Sequence, residues 1–303
     1  MGVYAIKDLE KLTGIKAHTL RIWEQRYELI VPNRTNTNIR FYDDEQLRKL
    51  LNIALLNRNG YKISHIAKMP MEEIQEVVQN LNEIDPQTSQ SDALTIAMID
   101  MDEQRFFNII DARTDAIGFE QMMLQTIFPF LDKLYLLWLT GSINGAHENF
   151  ISNLIRQKII GAIDKMKPNN QDNKKFLLYL PEGEMHELSL LFMYYLLRVR
   201  SFQVIYLGQN ISINDVGFTV RAHKPDYVFT MISEAYIKKP IQVYINELEK
   251  SCPNTTLLLS GYQIAVQGIQ STNRIEVLNT LPATIDFINS VGQKSNINSR
   301  MRV

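Results

Sequence analysis

His18-Thr19-Leu20-Arg21-Ile22-Trp23-Glu24-Gln25-Arg26-Tyr27, followed six residues later by Arg34-Thr35-Asn36-Thr37-Asn38-Ile39-Arg40-Phe41-Tyr42, decides how the first part of this chain folds. On a helix each residue advances by about 100°, so Leu20 and Trp23 share one face while His18, Thr19, Arg21, Gln25 and Arg26 point outward. The second stretch sets Arg34 and Arg40 at the two ends of a turn rich in Asn and Thr, the composition of a compact hairpin. Working outward, Ile6–Leu12 reads as a helix stopped by Gly14. Beyond the hairpin, Asp43-Asp44 caps a helix carrying Leu47, Leu50, Leu51, Ala54 and Leu55 at helical spacing until Gly60. Ser64–Lys68 makes a further helical turn, and Met71–Leu81 one more helix.

A short polar helix beside a basic hairpin is the layout of a winged helix-turn-helix, with the helix in the major groove and the arginines of the loop on phosphates. His18 and Thr19 lie near the helix N-terminus, where base contacts are made, and Arg21 and Arg26 suit phosphate or guanine edges. The candidate DNA-binding set is His18, Thr19, Arg21, Arg26, Arg34, Asn38, Arg40 and Tyr42. Charge agrees: the first 70 residues hold 12 lysines and arginines against seven acids, and the rest 20 against 26. A positive head on a negative body favours DNA binding by one end only.

Composition bounds the other possibilities. The chain has 303 residues, enough for two or three domains with cores of their own, and a formal net charge of -1. Cys252 is the only cysteine, so no intrachain disulfide forms, a structural zinc site lacks thiolates, and a reducing compartment fits. No apolar run approaches the roughly 20 residues that cross a membrane, and the first residues lack the layout of a signal peptide. A cytoplasmic protein without membrane association is expected.

The expected architecture is multidomain: an all-α winged helix-turn-helix head over residues 1–81, a polar linker over 82–91, a helical bundle over 92–168, and an α/β Rossmann-like domain over 174–295. The bundle reads as about four helices, with breaks near Ala116-Ile117-Gly118, Pro129 and Thr140-Gly141. Five apolar strands, Phe176–Leu180, Val204–Leu207, Tyr227–Ile232, Thr256–Leu259 and Ile275–Leu278, alternate with amphipathic helices and predict a five-stranded parallel sheet. Ligands of such sheets sit beyond the carboxyl ends of the strands, here the loops Pro181–His186, Gly208–Ile211, Ser233–Ala235 and Ser260–Gln263. His186, with Glu184 and Glu187 close enough to orient or polarise it, is the candidate metal ligand.

The first 75 or so residues resemble the N-terminal domain of MerR-family transcription regulators. The resemblance is carried by Ala5-Ile6-Lys7, Leu12-Thr13-Gly14-Ile15, Thr19-Leu20-Arg21, Trp23-Glu24, Pro32, Arg34, Arg40-Phe41-Tyr42 and Leu47-Leu50. One departure is the helix ending near Leu81, which is shorter than the dimerisation helix of the family's activators. Dimerisation is expected in the C-terminal regions instead.

From about Asp92 onward the chain resembles the cobalamin-binding module, a helical bundle on a Rossmann-like domain, as in MerR-type light sensors of the CarH/LitR kind. The family's Asp/Glu-x-His-x-x-Gly loop corresponds here to Glu184-x-His186-x-x-Ser189. The resemblance implies His186 as lower axial cobalt ligand, and Ser189, Ser233, Ser260 and Gly261 along the groove for the nucleotide tail. It also implies Trp138 and Glu148 as bundle residues facing the cofactor. Ser189 and Ser260 stand where the family has glycines. Asn149 stands where the light sensors have an upper-ligand histidine, and His147 lies one place earlier, about 100° round the helix.

Together these readings imply a DNA-binding transcriptional regulator, not an enzyme. Its C-terminal module would sense a corrinoid or a related ligand, with cobalamin as the implied cofactor, and alter oligomerisation and operator binding. The implied partners are a double-stranded operator and further copies of the chain. The alternative keeps the head but uses a degenerate cobalamin fold only for oligomerisation or protein contacts.

Overall fold

The computed structural model describes residues 4–34, 40–79, 86–139, 145–167, 174–185, 187–233 and 240–300. The chain divides into two compact units, residues 1–154 and 155–303, each described by itself.

Unit 1 begins with α1 (Ile6–Thr13) and α2 (Ala17–Tyr27), then the two-residue strands β1 (Asn33–Arg34) and β2 (Arg40–Phe41), then α3 (Asp44–Arg58), α4 (Ile63–Ile66) and α5 (Met71–Gln79). Leu9, Leu12, Leu20, Trp23, Leu47, Leu50 and Leu51 are buried and form the core at the predicted helical spacing. Asp43 caps α3 in a reciprocal box: its Oδ1 accepts from the Gln46 N–H at 3.0 Å, and Gln46 Oε1 accepts from its own N–H at 3.1 Å.

The same unit continues with α6 (Pro86–Ile99), α7 (Glu103–Ile117), α8 (Phe119–Met122), a π-helical turn (Met123–Ile127), α9 (Phe128–Leu139) and the first half of α10 (Gly145–Asp164). Gly118 ends α7, as expected. At Pro129 the expected break is replaced by the π turn just before it, in which the Phe128 N–H donates to Met123 O. A proline ring collides with the carbonyl four residues back, and widening the preceding turn relieves that collision. The expected break at Thr140-Gly141 lies outside the described residues.

The predicted linker is also corrected. Residues 82–85 lie outside the described residues, but Pro86–Ser91 opens α6, with proline in the first turn, where its missing N–H costs nothing. Head and bundle form one unit. The Asp92 carboxylate, 3% exposed, is held by Arg58 of α3 and by Lys133 of α9 at 2.9 Å, while Arg58 also donates to Thr13 O at the end of α1. Arg48 of α3 pairs with Asp100 just beyond α6.

The division between the units falls within α10, earlier than the boundary expected near residue 168. Later contacts account for this: Arg156 pairs with Glu187 at 3.0 Å, and Arg198 donates to Met166 O at 2.8 Å, fastening the end of that helix to the domain that follows.

Unit 2 is the predicted doubly wound sheet. β3 (Lys175–Pro181), α11 (Glu187–Val199), β4 (Gln203–Ile211), α12 (Ile213–His223), β5 (Tyr227–Met231), α13 (Ile241–Ser251), β6 (Thr256–Ser260), α14 (Tyr262–Val266), β7 (Ile275–Val277) and α15 (Leu281–Arg300) follow in turn. All five strands are parallel in the order β4-β3-β5-β6-β7. Phe176 to Leu180 are fully buried, as strands covered on both faces must be. Val216, Val220, Ile245 and Leu248 of α12 and α13 cover one face, while Phe176, Phe202, Tyr227 and Phe287 join the other face to α15 through ring contacts. The chain leaves β3 for β4 on one side and returns to β5 on the other, so the switch point lies between the carboxyl ends of β3 and β5.

Candidate functional sites

Helix α2 is set by its turn from α1. Glu10 accepts from the Ala17 N–H at 3.0 Å and from Lys16 Nζ at 3.0 Å, and these bonds, the Lys16 bond first, hold its carboxyl below its ordinary pKa. With Leu20 and Trp23 buried, His18, Arg21, Gln25 and Arg26 are exposed and Thr19 is half-buried. Thr19 Oγ1 lies 3.3 Å from His18 Nε2, and the Arg26 guanidinium sits 5.5 Å from the centre of the Tyr27 ring. The sequence reading did not single out Ile22, which is 49% exposed on this same face.

In the hairpin, Arg34 stands directly opposite Arg40 on the β1–β2 ladder, and both are exposed. Like charges facing one another across strands repel. Glu24 of α2 offsets part of this, with Oε1 3.4 Å from Arg40 Nε. Asn38 lies outside the described residues.

Tyr42 needs correction as a DNA contact, because it has no exposed surface. It exchanges backbone bonds with Tyr4 at 2.8 and 2.9 Å and donates its hydroxyl to Glu24 Oε2 at 3.4 Å. Its aromatic bulk buries against the head, so it supports the hairpin from beneath. Burial, then the Glu24 charge, pushes its phenol up to about 12.

At the switch point of unit 2, the loop after β3 is fixed from both sides. Glu184 is 3% exposed, and its Oε2 accepts from the Ser233 N–H, beyond β5, at 2.7 Å. From β4, Gln209 Nε2 donates to Met185 O at 3.0 Å, and Asn210 Oδ1 accepts from the Gly183 N–H at 3.4 Å. His186 itself lies outside the described residues, one position beyond this clamped segment. The expected loop Gly208–Ile211 is strand. Register shifts and positive φ at Gly208 (+83°) and Asn210 (+57°) bend β4 so that it can grip its neighbour.

Ser189 is half-buried in the first turn of α11 and Ser233 half-buried after β5. Ser260 is buried, and its hydroxyl donates to Leu278 O at 2.7 Å, toward β7. That serine is therefore engaged in joining strands. Gly261 permits a close backbone crossing: a Cβ there would lie 2.4 Å from Ile232 O, and its φ is +107°. Glu187 accepts from the Tyr206 hydroxyl at 2.9 Å, and burial followed by that bond holds the phenol far above its ordinary pKa.

In unit 1, Trp138 lies on α9, its side chain outside the described residues, and Glu148 is exposed on α10. His147 is buried in line with Ile151 and Leu154, whereas Asn149 is exposed, so the one-residue offset read from the sequence places His147 in the core stripe. Among the described residues no group of three or more His, Cys, Asp or Glu side chains is placed to hold a metal, and no helix is long and apolar enough to cross a membrane.

The geometry defines a winged helix-turn-helix packed on a helical bundle, followed by a Rossmann-like domain with a clamped loop at its switch point. Residues 4–80 match the MerR HTH family regulatory proteins, so the head is a MerR-type helix-turn-helix domain. The chain is homologous to two repressors of Myxococcus xanthus. The HTH-type transcriptional repressor CarH is 26% identical over 236 residues, covering 74% of this chain and 77% of its own. The HTH-type transcriptional repressor CarA is 24% identical over 286 residues, covering 92% and 91%. Among solved structures, the monomethylamine corrinoid protein of Methanosarcina barkeri aligns with 65% of this chain and 96% of its own at 13% identity and a TM-score of 0.49, a likeness too loose to bear on fold or ligand.

Proposed function

We propose that this chain is a DNA-binding transcriptional regulator whose C-terminal domain takes a corrinoid through His186 and thereby alters operator binding. One observation carries the DNA reading: Arg34 and Arg40 face each other on the hairpin beside the exposed cationic face of α2. A polyanion relieves that repulsion, and the phosphate backbone of DNA is such a polyanion. His18, Thr19, Arg21 and Arg26 then address the groove, with Asn38, which falls between β1 and β2 in sequence, as a further contact; Tyr42 acts from below.

The C-terminal reading rests on the Glu184–Ser233 bond across the switch point, where doubly wound sheets bind ligands. What supports a corrinoid is the order of donors in the chain: His186 follows, two positions on, the buried Glu184 carboxylate, and residues 183–185 are clamped from both neighbouring strands. When bound, cobalamin would supply a cobalt ion that takes a nitrogen ligand. His186 would supply that nitrogen, Glu184 would fix the segment before it, and Ser189, Ser233 and Gly261 would lie along the approach of the tail. The Ser260 hydroxyl, drawn to Leu278 O, leaves that approach clear. Occupancy shifts the balance between assembly states, and paired heads reach paired half-sites, so operator affinity follows occupancy.

The test is a visible absorption titration of the full chain with hydroxo-, methyl- and adenosylcobalamin in darkness. The expected result is a saturable spectral change that His186→Ala abolishes. A wild type that stays colourless after removal of excess cobalamin would overturn the corrinoid half and leave the domain an assembly module.

A further inference from the structure

The outward face of α2 has an apolar centre. Taking Leu20 as zero, Ile22 lies about 200° round the helix, flanked by His18 at about 160° and Arg26 at about 240°. It therefore stands on the outward side, about 130° from the midpoint of the buried Leu20 and Trp23, among the side chains that would face a groove. Ile22 is 49% exposed, whereas Leu20 and Trp23, about 160° and 100° away round the helix, are buried. His18, Arg21, Gln25 and Arg26 around it are all exposed and polar. Cations at the edges of this face fit phosphates, but an isoleucine at its middle can bond to no base edge. The apolar group that the floor of the major groove offers is the C5 methyl of thymine.

We propose that Ile22 is a specificity-determining residue that packs on a thymine methyl in the operator, an inference that rests on the DNA reading of α2 given above. The isoleucine makes the face selective where the arginines make it adhesive: it favours a T·A pair and leaves cytosine, which carries no methyl there, without a partner.

The experiment uses the full chain and duplexes that the wild type recovers from a randomised pool. Each thymine is then replaced in turn by deoxyuridine, which removes the methyl and keeps the hydrogen-bonding edge. At one position the replacement is expected to weaken wild-type binding about fourfold, the worth of one buried methyl. Ile22→Ala is expected to lose a similar factor on the thymine duplex and nothing further on the uracil duplex. Ile22→Val trims one methyl and keeps the test open if the alanine variant does not fold. An Ile22→Ala deficit that persists undiminished on every uracil duplex, or recovered duplexes without thymine, overturns the inference while the DNA reading stands. A wild type that recovers no duplex overturns the DNA reading and the inference with it.

Discussion

Gly261 has no room for a side chain, since a methyl there would meet the carbonyl oxygen of Ile232 at 2.4 Å on a backbone already at positive φ. Gly261→Ala is therefore expected to destabilise unit 2 by roughly 2 kcal/mol or more, read as an earlier denaturant midpoint of the sheet. At Tyr42 the expectation concerns pH. The phenol is held at about 12 in the fold against an ordinary 10.0. Between those values the unfolded chain gives up a proton that the folded chain keeps, so this contribution is complete below about pH 10 and is lost as pH rises toward 12. Tyr42→Phe should flatten the alkaline fall in the stability of the head, measured by thermal melts across that range. Tyr42 also marks where sequence reading fails at this scale. An aromatic beside Arg40 looks like a surface contact, and only the bridge to Tyr4, far away in sequence, reveals it as core. His18, Arg21 and Arg26 were legible because a single helix fixes which way they point. Ile22 was passed over because an isolated apolar residue on a polar face is ordinary until its place at the centre of that face is known.

Elements were more legible than residues wherever a period or an apolar run defined them. The five strands follow from runs such as Phe176–Leu180, and Gly118 was a sufficient stop for α7. Two elements escaped for backbone reasons. Pro129 stays in a helix because a π turn makes room for it, and Gly208–Ile211 stays in β4 because bulged register tolerates Gly208 and Asn210 at positive φ. The Glu184–Ser233 bond joins loops that are 49 residues apart, a separation no local pattern spans. The hairpin carries its own prediction. If Arg34 contacts a phosphate, Arg34→Ala should lower the slope of log affinity against log salt by about 1 and weaken all operators alike. An unchanged slope would remove the hairpin from the DNA interface.

For the whole molecule, the sequence separated head from bundle with a linker, whereas the structure joins them through ion pairs at Asp92 and Asp100. Asp92 directly follows a stretch whose Ser, Thr and Gln read as linker, and its partners Arg58 and Lys133 lie 34 and 41 residues away. Removing one member of a buried ion cluster leaves the others uncompensated, although Arg58 and Lys133 at 30% and 19% side-chain exposure retain some water. Asp92→Asn is accordingly expected to cost unit 1 about 2 kcal/mol, seen as a lower Tm; an unchanged Tm would show that the cluster does not hold head to bundle. The central claim is that one chain joins a DNA-reading head to a corrinoid-taking sheet edge. The most direct measurement is operator affinity by fluorescence anisotropy, with and without saturating adenosylcobalamin in darkness, for wild type and His186→Ala. The account predicts that cobalamin changes wild-type affinity by about tenfold or more and leaves the His186→Ala affinity unmoved. Equal wild-type affinities with and without cobalamin, or a change that His186→Ala retains, would contradict it.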